Sequence, residues 1–174
     1  MNFLNFAKTE LSTALTNGVR QCVLIGTRAR LGESFPSVTD ESLQVFVVEE
    51  EPLVAALEKS AFDKRKASLF IWLGSAQYRT VEAVFAALAF IASLPKESSV
   101  VFDYAEERVS FGSLAHSALD ALASRITMAG GSVKYLIQPQ AVAALLRGFG
   151  FERIVDLAQE ELPVSGGHLV RAAI

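Results

Sequence analysis

An α/β fold is what this sequence predicts: a three-layer sandwich around a mostly parallel, Rossmann-like sheet whose last strand is antiparallel. Three observations predict it. Short apolar runs rich in β-branched residues, among them "VRQCVLIG", "LQVFVVE" and "SSVVFDY", alternate with segments of helical periodicity, the pattern of strand, crossover helix and parallel strand. The runs are largely continuous in apolar character, as in strands covered on both faces. The final two, "FERIVDLA" and "HLVRAAI", are separated only by residues 158–167, too short a connection for a helical crossover, so that pair should be antiparallel. A single unit over residues 1–174 is expected, because a chain of this size buries a sufficient core without disulfides or metals.

The elements follow in order. Leu4, Ala7, Leu11 and Leu15 recur at helical spacing until Asn17-Gly18 supplies a left-handed stop. "VRQCVLIG" reads as a buried parallel strand, and Leu43 to Glu49 as the next. Pro52 suits the first turn of a helix with Leu53, Leu57 and Ala61 on one face, preceded by acids that favour a helix N-terminus. "ASLFIWLG" is a third strand; Thr80 then offers an N-cap to a helix from Val81 to Leu94, which Pro95 terminates. "SSVVFDY" is a fourth strand. Leu114, Ala118, Leu122 and Ile126 form an amphipathic stripe ending at Gly130-Gly131. After "VKYLI", Pro139 starts another helix that the glycines of "RGFG" end, and the two closing strands follow.

Composition narrows the function classes. Hydrophobic residues make up 51% of the chain and the mean hydropathy is +0.34, high enough that a partner chain is expected to cover apolar surface. The longest uncharged apolar stretch, Ala83 to Pro95, is far shorter than the ~20 residues that span a bilayer, so no membrane is expected. The N-terminal stretch carries Lys8 and Glu10 within its apolar pattern and reads as no secretion signal; with a single cysteine, Cys22, inside an apolar strand, a cytoplasmic location is expected. A net charge of −3 without a basic cluster argues against nucleic acid. His116 and His168 lie far apart and make no metal spacing, and "GSLAH" lacks the context of a nucleophile elbow, so neither a zinc site nor hydrolysis is supported.

Four stretches carry a family resemblance. "NGVRQCVLIGTRARL", "FIWLGSAQYRTVEAVFAALAFIASLP", "SSVVFDYAE" and "YLIQPQAVAALLRGFGFERIVDL" together resemble the first-, fourth- and fifth-strand signatures and the end of the leucine carboxyl methyltransferase family. That family belongs to the class I S-adenosylmethionine-dependent methyltransferases. The resemblance spans nearly the whole chain and implies their sheet, with S-adenosylmethionine as the cofactor. Pieces of the pattern are missing. The family's loop reads roughly G-A-G-L-D-T-R-A-x-R-L, whereas this chain passes from Gly26 straight to Thr27-Arg28-Ala29-Arg30-Leu31. The family's third strand and its helix are expected to have no counterpart, since "SAFDKRKASLFIWLG" leads almost directly from the second strand's helix into the next strand, and the same is expected of the helical N-terminal region that family members carry before the segment that begins here.

What the resemblance implies for the site can be stated residue by residue. Gly26, Thr27, Arg28 and Gly74 are the strand-end positions that would face the cofactor, and Glu49 or Glu50 is the acid that would bind its ribose hydroxyls. A carboxylate accepts two hydrogen bonds from a cis diol, although three adjacent acids before a proline are equally ordinary helix-start charges. Tyr78 and Arg30 match positions toward the substrate; Arg28 and Arg30 could equally be solvated loop residues or hold a carboxylate through their guanidinium forks.

Three functions stay open at this point: a truncated methyltransferase-fold protein with a shortened cofactor loop and impaired catalysis, an active small-molecule carboxyl or O-methyltransferase, and a non-catalytic module for small ligands or assembly. In methyltransferase strand labels the sheet is expected to run 2-1-4-5-7-6. S-adenosylmethionine is expected to bind weakly or not at all, because one glycine replaces several. A homodimer is expected, built on the exposed second strand or on Phe3, Leu4 and Phe6.

Overall fold

A computed structural model describes residues 3–26, 42–49, 51–74, 80–106, 136–137, 139–158 and 167–174. The first element, α1 (Phe3–Thr16), lies along one face of the sheet and buries Phe6, Ala7, Leu11 and Ala14. It ends where expected, with the Gly18 N–H bonding the Leu15 carbonyl and the Val19 N–H reaching Ala14, each at 3.0 Å. The chain then enters β1 (Gln21–Ile25), all five residues of which are buried.

β2 (Gln44–Val48) pairs parallel to β1 and is the edge of the sheet. After it, α2 (Leu53–Glu58) is shorter than the apolar spacing through Ala61 suggests. Pro52 is its N-cap, with ψ at 131°, rather than a residue of its first turn. Its C-terminal end is closed by Ser60, whose N–H and hydroxyl both bond the Leu57 carbonyl, at 3.1 and 2.8 Å.

The chain now runs directly into β3 (Ser68–Trp72), with no strand between α2 and β3. Two devices hold this short connection. The buried Gln21 side chain bonds Asp63 twice, its Nε2 donating to the Asp63 carbonyl at 3.0 Å and its Oε1 accepting from the Asp63 N–H at 2.9 Å. Phe62 packs against the rings of Phe46, Phe70 and Phe90, with centroids 5.5 to 6.1 Å apart. The Asp63 N–H and carbonyl, outside any strand ladder, are thus satisfied by a side-chain amide at the start of β1.

Thr80 caps α3 (Val81–Ala92) by accepting from the Ala83 N–H at 3.3 Å. β4 (Ser99–Glu106) continues beyond the predicted run, because its far end pairs with β5 (Leu136–Ile137). The Leu114 to Ile126 stripe lies outside the described residues. α4 (Pro139–Phe149) closes like α1, with Gly150 and Phe151 bonding back to Arg147 and Leu146 at 3.0 and 3.1 Å. β6 (Arg153–Ala158) and β7 (Gly167–Ala173) then form the antiparallel pair.

The strand order is β2-β1-β3-β4-β7-β6, with β5 paired to β4 off this path. β7 is antiparallel to both β4 and β6. Counting the absent third strand, this is the expected 2-1-4-5-7-6. One face of the sheet packs on α2, α3 and α4 and the other on α1, giving three layers. One expectation needs correction: Phe6, assigned to a possible dimer contact, is 6% exposed and packs inside the chain against the sheet. The stripe read from the sequence, Leu4, Ala7, Leu11 and Leu15, leaves Phe6 out, whereas the face of α1 that the sheet covers includes Phe6 beside Ala7 and Leu11.

Candidate active site

The parallel register decides which of the sequence-predicted residues meet. Ile25 is level with Val48 on one side and with Trp72 on the other. The residues one step further, Gly26, Glu49 and Leu73, therefore come level at the carboxyl edge of β1, β2 and β3, and Gly74 follows. Gly26 has φ of +129° and donates its N–H to the Val48 carbonyl at 2.9 Å. Gly74 has φ of +70°, and its N–H donates to Asp103 Oδ1 on β4 at 2.5 Å. Both are backbone conformations that a side chain would strain, so glycine is needed at each strand end for the chain to turn away from the sheet. Glu49 is exposed at the end of β2.

Of the residues assigned to the site from sequence, the structure thus brings Gly26, Glu49 and Gly74 to one edge. Thr27, Arg28, Arg30, Glu50 and Tyr78 lie outside the described residues. The carboxyl ends of parallel strands are where open α/β sheets bind their ligands. A carboxylate one strand away from a glycine-terminated strand fits a ribose diol of an adenosyl cofactor, the acid accepting and the diol donating.

The other half of the same edge carries a constellation that sequence reasoning missed. Tyr104 near the end of β4 donates its hydroxyl to Asp156 Oδ2 on β6 at 2.6 Å. His168, at the start of β7, places Nδ1 2.7 Å from Asp156 Oδ1. The imidazole stacks on the Tyr104 ring, with centroids 4.9 Å apart and planes 20° from parallel. His168 and Tyr104 are each 6% exposed. The partners stand 12 and 52 residues apart in the chain, so no local motif announces them. The available signal was the polar residue within each of three otherwise apolar strands, in "FDY", "IVDLA" and "GHLV".

Two further groups are perturbed away from this edge. Burial pushes the Cys22 thiol up to about 12, as befits an inert core residue. Burial also raises the Glu10 carboxyl on α1 above its ordinary value, against the opposing pull of Arg171 on β7. Arg171 Nε lies 2.9 Å from Glu10 Oε2, an ion-pair approach without the alignment of a hydrogen bond.

No family model and no curated protein matches this sequence. Solved structures do. A SAM-dependent methyltransferase from Archaeoglobus fulgidus superposes with a TM-score of 0.58 at 13% identity, over 98% of this chain and 94% of that one. Magnesium protoporphyrin IX methyltransferase from Synechocystis, solved with bound SAH, gives 0.50 at 12% identity, over 98% and 82%. The S-adenosylmethionine-dependent methyltransferase SibL gives 0.50 at 15% identity; this chain spans about half of it, 51%, while 90% of this chain is covered. The fold is that of the S-adenosylmethionine-dependent methyltransferases.

Proposed function

We propose that this chain binds S-adenosylmethionine at the carboxyl edge of β1 and β2 and is a methyltransferase-fold protein of leucine carboxyl methyltransferase-like descent with a weakened cofactor grip. The observation that carries the reading is the register of β1 and β2, which brings Gly26 and Glu49 level at that edge. Glu49 would accept from the ribose hydroxyls, and Gly26 would let backbone approach the ligand closely. When bound, the cofactor supplies an electrophilic methyl group. The weakened grip rests on the sequence after Gly26, where Thr27-Arg28 stands in place of the family's further small residues.

Calorimetric titration with S-adenosylmethionine and S-adenosylhomocysteine tests this. The expected dissociation constant is weaker than about 10 μM, and Glu49→Gln should weaken it further by about tenfold, or 1.4 kcal/mol. Copurification with S-adenosylhomocysteine, or low-micromolar affinity, would sink the weakened-grip half of the proposal. Complete absence of binding, with the protein folded, would sink the whole of it.

A further inference from the structure

We propose that the indole Nε1–H of Trp72 is the hydrogen-bond donor of a binding site for an uncharged, apolar ligand bearing a carbonyl or ether oxygen, inside the helix-covered face of the sheet at the end of β3. Trp72 is the last residue of β3, is 3% exposed, and belongs to the core between the sheet and α2, α3 and α4. Its Nε1–H is buried and has no hydrogen-bond partner among the described residues. Nearly all buried polar groups in folded proteins are paired, because a donor taken out of water and given no acceptor destabilises the fold. An apolar ring at the same place would carry no such cost, so the indole donor is explained by an acceptor that a ligand brings.

The surrounding residues define that acceptor. The register sets Val48, Ile25, Trp72, Phe102, Val170 and Asp156 level across the sheet, in one row on one face. Asp156 holds the only acceptor among their side chains. It stands three strands from β3, at about 4.8 Å per strand, and both its oxygens are engaged by Tyr104 and His168. Further along β3, Leu73 turns to the α1 face and Gly74 carries no side chain, so β3 itself places no side chain beyond the indole on this face. A lone water here would find one partner in the row, the indole, where buried waters hold about three. An anion fits worse: the row carries no cationic side chain, and a buried charge without a counter-charge is costlier than an unpaired neutral group. A neutral oxygen on an apolar body satisfies the donor and leaves every other contact apolar.

Phe102, level with Trp72 on the neighbouring strand β4 and partly buried against the same core, offers its ring to an aromatic body. The site adjoins the place proposed for S-adenosylmethionine, since Ile25, level with Trp72 on the other side, is the residue before Gly26. It needs no cofactor to form.

The chain contains one tryptophan, so the proton–nitrogen NMR spectrum of the labelled full chain holds a single indole resonance, that of Trp72. Acetophenone, ethylbenzene and benzoate are the probes: one ring with a neutral oxygen, with no oxygen, and with a charged group. Acetophenone is expected to move the indole resonance downfield and saturably, while ethylbenzene and benzoate leave it in place. Trp72→Phe should weaken acetophenone binding, followed at the backbone amides of Ile71 and Phe102, by about fivefold, and leave ethylbenzene binding unchanged; an unchanged acetophenone affinity overturns the donor's role. An equal indole response to benzoate overturns the ligand class. No response to acetophenone, or an equal one to ethylbenzene, overturns the proposal even if Trp72→Phe fails to fold. S-adenosylhomocysteine titrated into the same sample separates the two ideas: an acetophenone response without adenosyl binding upholds the site and removes the cofactor reading, whereas an indole response to S-adenosylhomocysteine alone gives the donor to the cofactor and overturns the site.

Discussion

The two faces of the sheet are built from alternate residues of the same strands, yet they differ in what covers them. The face toward α2, α3 and α4 is deep and aromatic, with Phe46, Phe62, Phe70 and Phe90 packed edge to face or tilted around a core that reaches from Val48 to Ala172. The face toward α1 is smaller and mostly aliphatic, centred on Cys22, Leu24, Leu69 and Ile71, with Phe6 of α1 packed on it. On its flanks β2 exposes Val45 and Val47 at 47% and 44%, and β6 exposes Val155 and Leu157 at 45% and 39%. The difference teaches that alternation within a strand does not decide burial. An edge strand with apolar residues on both sides has one side covered by its own helices and the other available to something else.

The largest expected effect breaks the aromatic face. Phe70→Ala removes a fully buried ring and should cost about 3–5 kcal/mol in urea denaturation, whereas Leu11→Ala on the α1 face should cost about 2–3 kcal/mol. Equal losses would remove the contrast between the faces. Next comes Gln21→Leu, which keeps volume but leaves the Asp63 N–H and carbonyl without their side-chain partner; about 1–3 kcal/mol is expected. Hydrogen exchange should then accelerate at residues 59–67 first, and uniform acceleration would show that the amide does not serve that connection.

A smaller effect concerns Glu10 on the α1 face. Its folded pKa is raised, so the unfolded chain loses the proton first as pH rises, and the native state loses stability between the ordinary value of 4.5 and the folded value. Glu10→Gln carries no such slope. The stability of the variant relative to the parent should therefore rise with pH through that window, whatever constant cost Arg171 incurs, and a falling difference would show that the ion pair outweighs burial.

The smallest effect on folding is expected at the exposed flank. We propose that a second copy of this chain covers β2, since antiparallel pairing about a two-fold axis at Phe46 would set Val45 of one copy opposite Val47 of the other. Val45→Lys should change stability by no more than about 0.5 kcal/mol while shifting the mass seen by light scattering from dimer to monomer. A monomer for the parent protein at all concentrations would leave the flank to another partner.

Local chemistry made the elements legible from the sequence by itself. Continuous apolar runs marked β1, β3 and β4, Thr80 marked the start of α3, Pro95 followed its end, and the brevity of residues 158–167 was enough to make β7 antiparallel. Gly26 and Glu49 each end a strand that was legible in this way, but their choice as site residues, with Glu50 open beside Glu49, came from the family resemblance and not from strand and helix alternation. The tertiary structure alone decided three things. It ended α2 at Glu58 through Ser60 and latched the following turn to Gln21, 42 residues away. It buried Phe6 between α1 and the sheet, where helical periodicity could not say what α1 packs on. And it assembled Asp156, His168 and Tyr104, because hydrogen-bond partners on three strands are set by sheet order and register, which bring together residues that no spacing along the chain relates.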